Sequence, residues 1–176
     1  METTTTAPTQ FQFDESKIEF IQRNFTNNFK FRLMLLRILP MGYLTGMRIK
    51  TLTRERCEVT VRHKWLNKNP FRSMFWAVQG MAAEMSSGAL LTMFTYKQKP
   101  SIATLVVHQE SKFTKKAVGK ITFICESGKE IENAIRETAA TGEPVVVVAP
   151  MIGYDEEGDV VAEFAFTWSF KARIKK

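Results

Sequence analysis

The chain has 176 residues, 44% of them hydrophobic and 24% charged, with a net charge of +7. That length suits one domain with a real core, and the composition excludes a disordered or disulfide-stapled chain. The positive balance points to an anionic partner (nucleic acid, a membrane surface or a phosphate-bearing metabolite) or to a basic surface that serves solubility alone.

Two cysteines, Cys57 and Cys125, lie far apart and fit no metal-ligand spacing. They are expected to be buried free thiols, with a reducing cytoplasm as their simplest home. METTTTAPTQ lacks the apolar core of a signal peptide. No apolar run approaches the roughly 20 residues of a membrane-spanning helix, so stable membrane insertion is not expected.

Residues 1–12 are Thr-rich and polar and read as a disordered tail. Residues 13–39 read as an N-terminal helical extension. Ile18, Ile21 and Phe25 share one face, Phe29, Leu33 and Leu36 continue it, and Asn27-Asn28 offers a break. Pro40 and Gly42 are stop signals. The second piece, FKFRLMLLRIL, is basic and apolar; it either packs on its own domain or lies along a membrane surface.

Residues 40–176 read as one further domain. Residues 45–64 are extended, with Cys57, Val59 and Val61 alternating against polar neighbours and a turn at Arg54-Glu55. NPFRSMFWAVQGMAAEMSSG then opens a helix over residues 71–94 or 71–96. It is apolar almost all round, which predicts burial. Asn69 and Pro70 suit its cap and first turn, and Ser73 is a second capping choice. Inside this run stands one carboxylate, Glu84, costly to bury unless paired or hydrogen-bonded.

Strands are expected at 103–113, 117–126, 144–154 and 160–174. A short helix over 129–141 is closed by Gly142. The run Val145 to Val148 predicts burial on both faces of its strand. A long buried helix followed by antiparallel strands means that the sheet curls around the helix, an α+β arrangement.

At the helix and its approach the sequence resembles the hotdog-fold thioesterases. Asn69 matches the family's loop Asn, Ser73 its Thr/Ser position and Phe75 its aromatic. Glu84 matches its helix acid, fifteen residues beyond Asn69. The chain departs from the pattern at Trp76 and Ala77, where the family has a small pair, and at Arg72, where it has glycine. ESKFTKKAVGK resembles the family's third-strand segment. The arrangement NPF-S-FWA-GMAAE is most similar to a bacterial branch, a DUF4442-like domain of unknown function grouped with thioesterases. The resemblance spans residues 40 to 172.

The resemblance implies a hotdog fold, a homodimer or tetramer, and hydrolysis of acyl-CoA or a related thioester without metal or cofactor. Helix-start amides near Phe75, Trp76 and Ala77 would form an oxyanion hole. Glu84 would act as general base or nucleophile, its pKa raised by a low-dielectric site. Asn69 would orient water or bind the thioester oxygen. Ser73, Lys112, Lys115 and Lys116 would meet the coenzyme.

Each assignment has a plainer counterpart: an ion pair for Glu84, caps for Asn69 and Ser73, a solvated basic turn for the lysines. Two other functions stay open. One is a non-catalytic hotdog protein that binds acyl groups or acts as a scaffold. The other is a dehydratase-like hotdog working on carrier-bound chains, against which Asn69 in place of a loop His counts. His63 and His108 have no acid partner at a telling spacing. A nucleic-acid module would interleave aromatics with basic residues on a sheet face, and these strands do not show that.

Overall fold

In the computed structural model, which describes residues 11–173, three helices lead the chain: α1 (Glu15–Thr26), α2 (Asn28–Ile38) and α3 (Pro40–Thr45). Strands β1 (Arg48–Leu52) and β2 (Cys57–Arg62) and a 3-10 turn (Trp65–Asn67) precede the long helix α4 (Trp76–Thr95). The rest is β3 (Ser101–Phe113), β4 (Lys120–Cys125), α5 (Gly128–Thr141), β5 (Val145–Tyr154) and β6 (Val160–Arg173). One antiparallel sheet in the order β1-β2-β4-β5-β6-β3 contains all six strands of the described residues.

The period-2 pattern sets which side chains meet α4. Cys57, Val59 and Val61 on β2 pair in register with Cys125, Phe123 and Ile121 on β4, and all six are buried. On β6, Phe164, Phe166, Trp168 and Phe170 point inward. The inner face of the sheet closes on Ala82, Ala83, Leu90 and Phe94 of α4, where small residues admit close approach. Trp168 Nε1 donates to Ser87 Oγ at 3.0 Å, so the buried indole brings its polar atom to a partner. Burying a side chain such as Phe123 stabilises the fold by about 1.5–3 kcal/mol. Both cysteines are free and buried, and burial pushes the Cys57 thiol well up from its ordinary value.

Four expectations need correction. Pro40 and Gly42 do not end the leading helices: Pro40 opens α3, as proline at a first helical position can, and Gly42 lies within it. The long helix begins at Trp76 rather than near Phe71. Arg72 adopts a left-handed φ of 59°, which no α-helix accommodates. Val146 and Val148 are 57% and 59% exposed, because no second layer covers the outer face of β5. Finally, the alternation expected over 103–113, with Leu105, Val107, Gln109 and Ser111 on one side and Thr104, Val106, His108 and Glu110 on the other, is broken by a register shift between Val106 and His108 in β3.

Of the tail expected over residues 1–12, residues 1–10 lie outside the described residues. Phe11 packs against the core, in an edge-on contact with Phe13. Among the described residues, no helix is long and apolar enough to cross a membrane.

Candidate active site

The approach to α4 is a pinned loop. Asn69 Oδ1 accepts from the backbone N–H of Phe71 (3.0 Å) and of Ser73 (3.1 Å), while its Nδ2 reaches Met74 O at 3.4 Å. Asn69 therefore caps its own turn, not the helix, with both lone pairs of its side-chain carbonyl engaged; a thioester oxygen, itself an acceptor, would be met by Nδ2 instead. Ser73 is tied across to the segment before β4. Its Oγ accepts from Ala117 N at 3.0 Å, and Met74 N donates to Ala117 O at 2.9 Å.

The helix that follows has Phe75 as its N-cap residue, with no side-chain cap and no acid in the first turn. Its orphan donors are thus not all spent. Phe75 N–H donates to Asn67 O at 2.8 Å, which takes it out of the expected oxyanion set. The Trp76 and Ala77 amides meet no acceptor among the described residues. They stand at the partly positive end of a 20-residue helix.

A cavity of about 330 Å³ adjoins this helix start, lined by Asn69, Ser73, Trp76, Gln79, Lys115 and Lys116. The fold thus gathers the expected loop residues and the basic turn in one place. Lys115 does not arrive as a free cation. Its Nζ lies 2.7 Å from Asp155, 2.8 Å from Asp159 and 3.2 Å from Glu157, and those contacts hold its pKa well above the ordinary value. The same ammonium occupies the centre of the acidic trio that would otherwise resemble a cation site. Lys112 makes only a loose 3.9 Å approach to Glu163. Lys116 is exposed and faces no carboxylate among the described residues.

Sequence reading missed Gln79. Its Nε2 donates to Met74 O at 3.3 Å, and its Oε1 is buried without a partner. A polar residue one turn into an otherwise apolar helix was the available signal.

Glu84 faces elsewhere. It lines a second cavity, of about 270 Å³, between α2 and α4, whose walls include Phe31, Leu35, Ile49, Met81 and Met85. The side chain has no ion pair or hydrogen bond among the described residues. The ion-pair reading therefore fails, and so does the expectation of a fully buried acid, because the residue is exposed in the single chain. Its apolar neighbours still desolvate the carboxyl enough to raise its pKa. The second wall of this cavity comes from the N-terminal helices, which no local motif announces.

Within one chain these two parts cannot act on the same carbonyl. Eight residues from Trp76 to Glu84 amount to about 12 Å of helix, against the roughly 3 Å that a base or oxyanion donor requires.

The family profile of a domain of unknown function (DUF4442) matches residues 28–170. Among curated proteins, none matches the sequence. Solved structures of the same fold include a Pseudomonas aeruginosa protein of unknown function described as a probable thioesterase. It has 21% identity and a TM-score of 0.69, over 81% of this chain and 93% of that one. A thioesterase from Haemophilus influenzae has 13% identity and a TM-score of 0.62, over 85% and 93%. The PaaI protein of the Escherichia coli phenylacetic acid degradation operon has 11% identity and a TM-score of 0.59, over 86% and 96%. At these identities the likeness establishes the fold, which is the hotdog fold.

Proposed function

Since the chain belongs to the DUF4442 family, we propose that it is a thioester hydrolase acting on acyl-CoA or a related acyl thioester. The observation that carries this reading is Glu84: an unpaired carboxylate of raised pKa on the wall of an apolar cavity that suits an acyl chain. Glu84 acts as general base on water, or attacks the thioester carbon directly. The Trp76 and Ala77 amides, free at a helix N-terminus, stabilise the oxyanion. Ser73 and Lys116 border the coenzyme's path.

The 12 Å separation requires that these parts come from two copies, so the working unit is a homodimer. Strand β3 offers the means. Its 13 residues pair with β6 on one side only, and Leu105, Val107 and Phe113 are exposed along it. A long edge with apolar side chains is a template for strand pairing with a second copy. A two-fold contact there is the arrangement this reading needs to bring the acid of one copy to the amides of the other.

A second reading, acyl binding without turnover, is favoured by the exposure of Glu84 in the single chain. One experiment separates the two. Purified protein is incubated with short, long and aromatic acyl-CoAs, and free thiol is followed. Hydrolysis that falls at least about a hundredfold in Glu84→Gln supports the enzyme, since positioned acid–base groups contribute about 10²–10⁴ in rate. Saturable binding with no thiol release supports the binding protein. Turnover unchanged in Glu84→Gln removes this carboxylate from the mechanism.

A further inference from the structure

Exposed apolar side chains concentrate on α2 and α3. Phe29, Leu33, Leu36 and Ile38 of α2, with Met41 and Leu44 of α3, are 51% to 79% exposed. The inward face of α2 is already supplied by Phe31 and Leu35, which are buried. A helix with water on its outer face carries polar residues there; α2 carries leucine and phenylalanine. Continuous apolar surface of this kind marks a site of interaction.

Charge decides what the face meets. From residue 20 to residue 54 the chain has no acidic residue, and it carries Arg23, Lys30, Arg32, Arg37, Arg48, Lys50 and Arg54. Lys30 and Arg37 are exposed beside the apolar side chains and pair with no carboxylate among the described residues. Trp65, 79% exposed, stands on the 3-10 turn that packs against α3. Apolar side chains with a tryptophan and cations around them form the pattern of a helix lying in a bilayer interface.

Two features of the fold separate this face from a protein contact. Helix α2 packs over β1, at the opposite edge of the sheet from β3, so pairing through β3 leaves it open. Ile38, on the exposed face, and Leu39 beside it also line the Glu84 cavity, so the apolar surface runs into an apolar interior.

We infer that the α2–α3 face is a docking surface for an anionic lipid bilayer. Phe29, Leu33, Leu36, Ile38, Met41 and Leu44 enter the acyl boundary, with Lys30 and Arg37 at the headgroups. The face lies on the membrane without crossing it, since no helix among the described residues is long and apolar enough to span. An acyl chain then passes between bilayer and cavity without entering water. Docking does not depend on hydrolysis, so either reading can fail alone.

The test is sedimentation of the full chain with vesicles of phosphatidylcholine plus phosphatidylglycerol, and with vesicles of phosphatidylcholine alone. The protein is expected to pellet with the anionic vesicles, and less so as salt is raised. Leu33→Glu with Leu36→Glu is expected to lower the bound-to-free ratio at least about tenfold. Its thermal melting should stay unchanged, because both positions face solvent. Glu84→Gln is expected to pellet like the parent chain. The proposal is overturned if the parent chain stays in the supernatant, or if the double variant pellets as well as the parent. It is also overturned if the double variant, without vesicles, turns a dimer into monomers by light scattering, since the face then belongs to a second copy.

Discussion

Glu84 and Arg72 hold conformations or environments that their own chemistry disfavours, and each discloses something different. Desolvation raises the Glu84 pKa, so the folded state prefers the neutral acid. A carboxyl whose folded pKa lies above its unfolded value contributes stability below the unfolded value, lost as pH rises through the folded one. Glu84→Gln removes that loss. The variant is therefore expected to melt no lower than the parent at pH 7, and the difference should shift toward the parent as pH falls through the raised folded value, the shift being complete below the unfolded value of about 4.3. If the same residue is the base, hydrolysis by the parent should rise with an apparent pKa above that of an ordinary glutamate. A pH–rate profile with no acid limb in this range counts against it. A residue that aids both stability and turnover would show the opposite melting result.

Arg72 makes the contrary case. Its φ of 59° places a β-carbon in the left-handed region, which costs about 1–2 kcal/mol. The resemblance to hotdog thioesterases puts glycine at this position. Arg72→Gly relieves the strain but adds about 0.5–1 kcal/mol of unfolded-chain entropy. The net expectation is a gain of roughly 0.5–1 kcal/mol in urea unfolding. A loss of stability would mean that the guanidinium makes a contact that matters.

At the scale of elements, β3 carries the assembly argument. Placing lysines on an edge strand is how natural sheets prevent pairing. If the proposed dimer pairs through β3, Leu105→Lys with Val107→Lys is expected to convert it to monomers in light scattering and to abolish thiol release, because each half-site loses its complement. A monomeric variant that still hydrolyses would show that one chain suffices. The sheet was legible in the sequence for a physical reason. Alternation in Cys57–Val59–Val61 and in Phe164–Phe166–Trp168–Phe170 is forced wherever one face packs on a core. Local pattern misled where a residue's surroundings come from elsewhere. Four consecutive valines look doubly buried, yet only a covering layer could make them so, and β5 has none. Asn-Pro looks like a helix start, yet Asn69 spends its carbonyl on a turn ahead of it. The loneliness of Glu84 could be read from its apolar neighbours in sequence. That α2 forms the opposite wall of its cavity could not, since α2 and α4 are brought together only by the fold.

The whole molecule depends on how the leading segment is fastened to the sheet-and-helix body, and one guanidinium–carboxylate network does much of this. Arg54, in the β1–β2 turn, places Nη1 2.7 Å from Glu15 of α1 and Nη2 2.7 Å from Glu132 of α5. Arg136 adds a second 2.7 Å contact to Glu132, reaches Phe11 O at 3.2 Å and stacks over Phe13. Burial alone would push the Glu132 carboxyl up, but hydrogen bonds from Arg54 and Arg136 more than offset it, and its pKa is lowered. A carboxyl of depressed folded pKa contributes stability above its unfolded value, lost as pH falls through the folded one. The parent should therefore lose urea resistance below about pH 4.3, with Asp155, held down by Lys115, adding to the same trend. Glu132→Gln leaves two guanidiniums facing each other across a neutral amide. It is expected to cost about 1–3 kcal/mol at pH 7, with the midpoint less steeply dependent on acid. Hydrogen exchange should quicken first in α1, the element that Arg54 and the core jointly hold. If Glu132→Gln keeps the parent's acid slope and α1 exchanges no faster, the network is ornamental, and apolar contacts of Ile18, Ile21 and Phe25 alone secure the N-terminal helices.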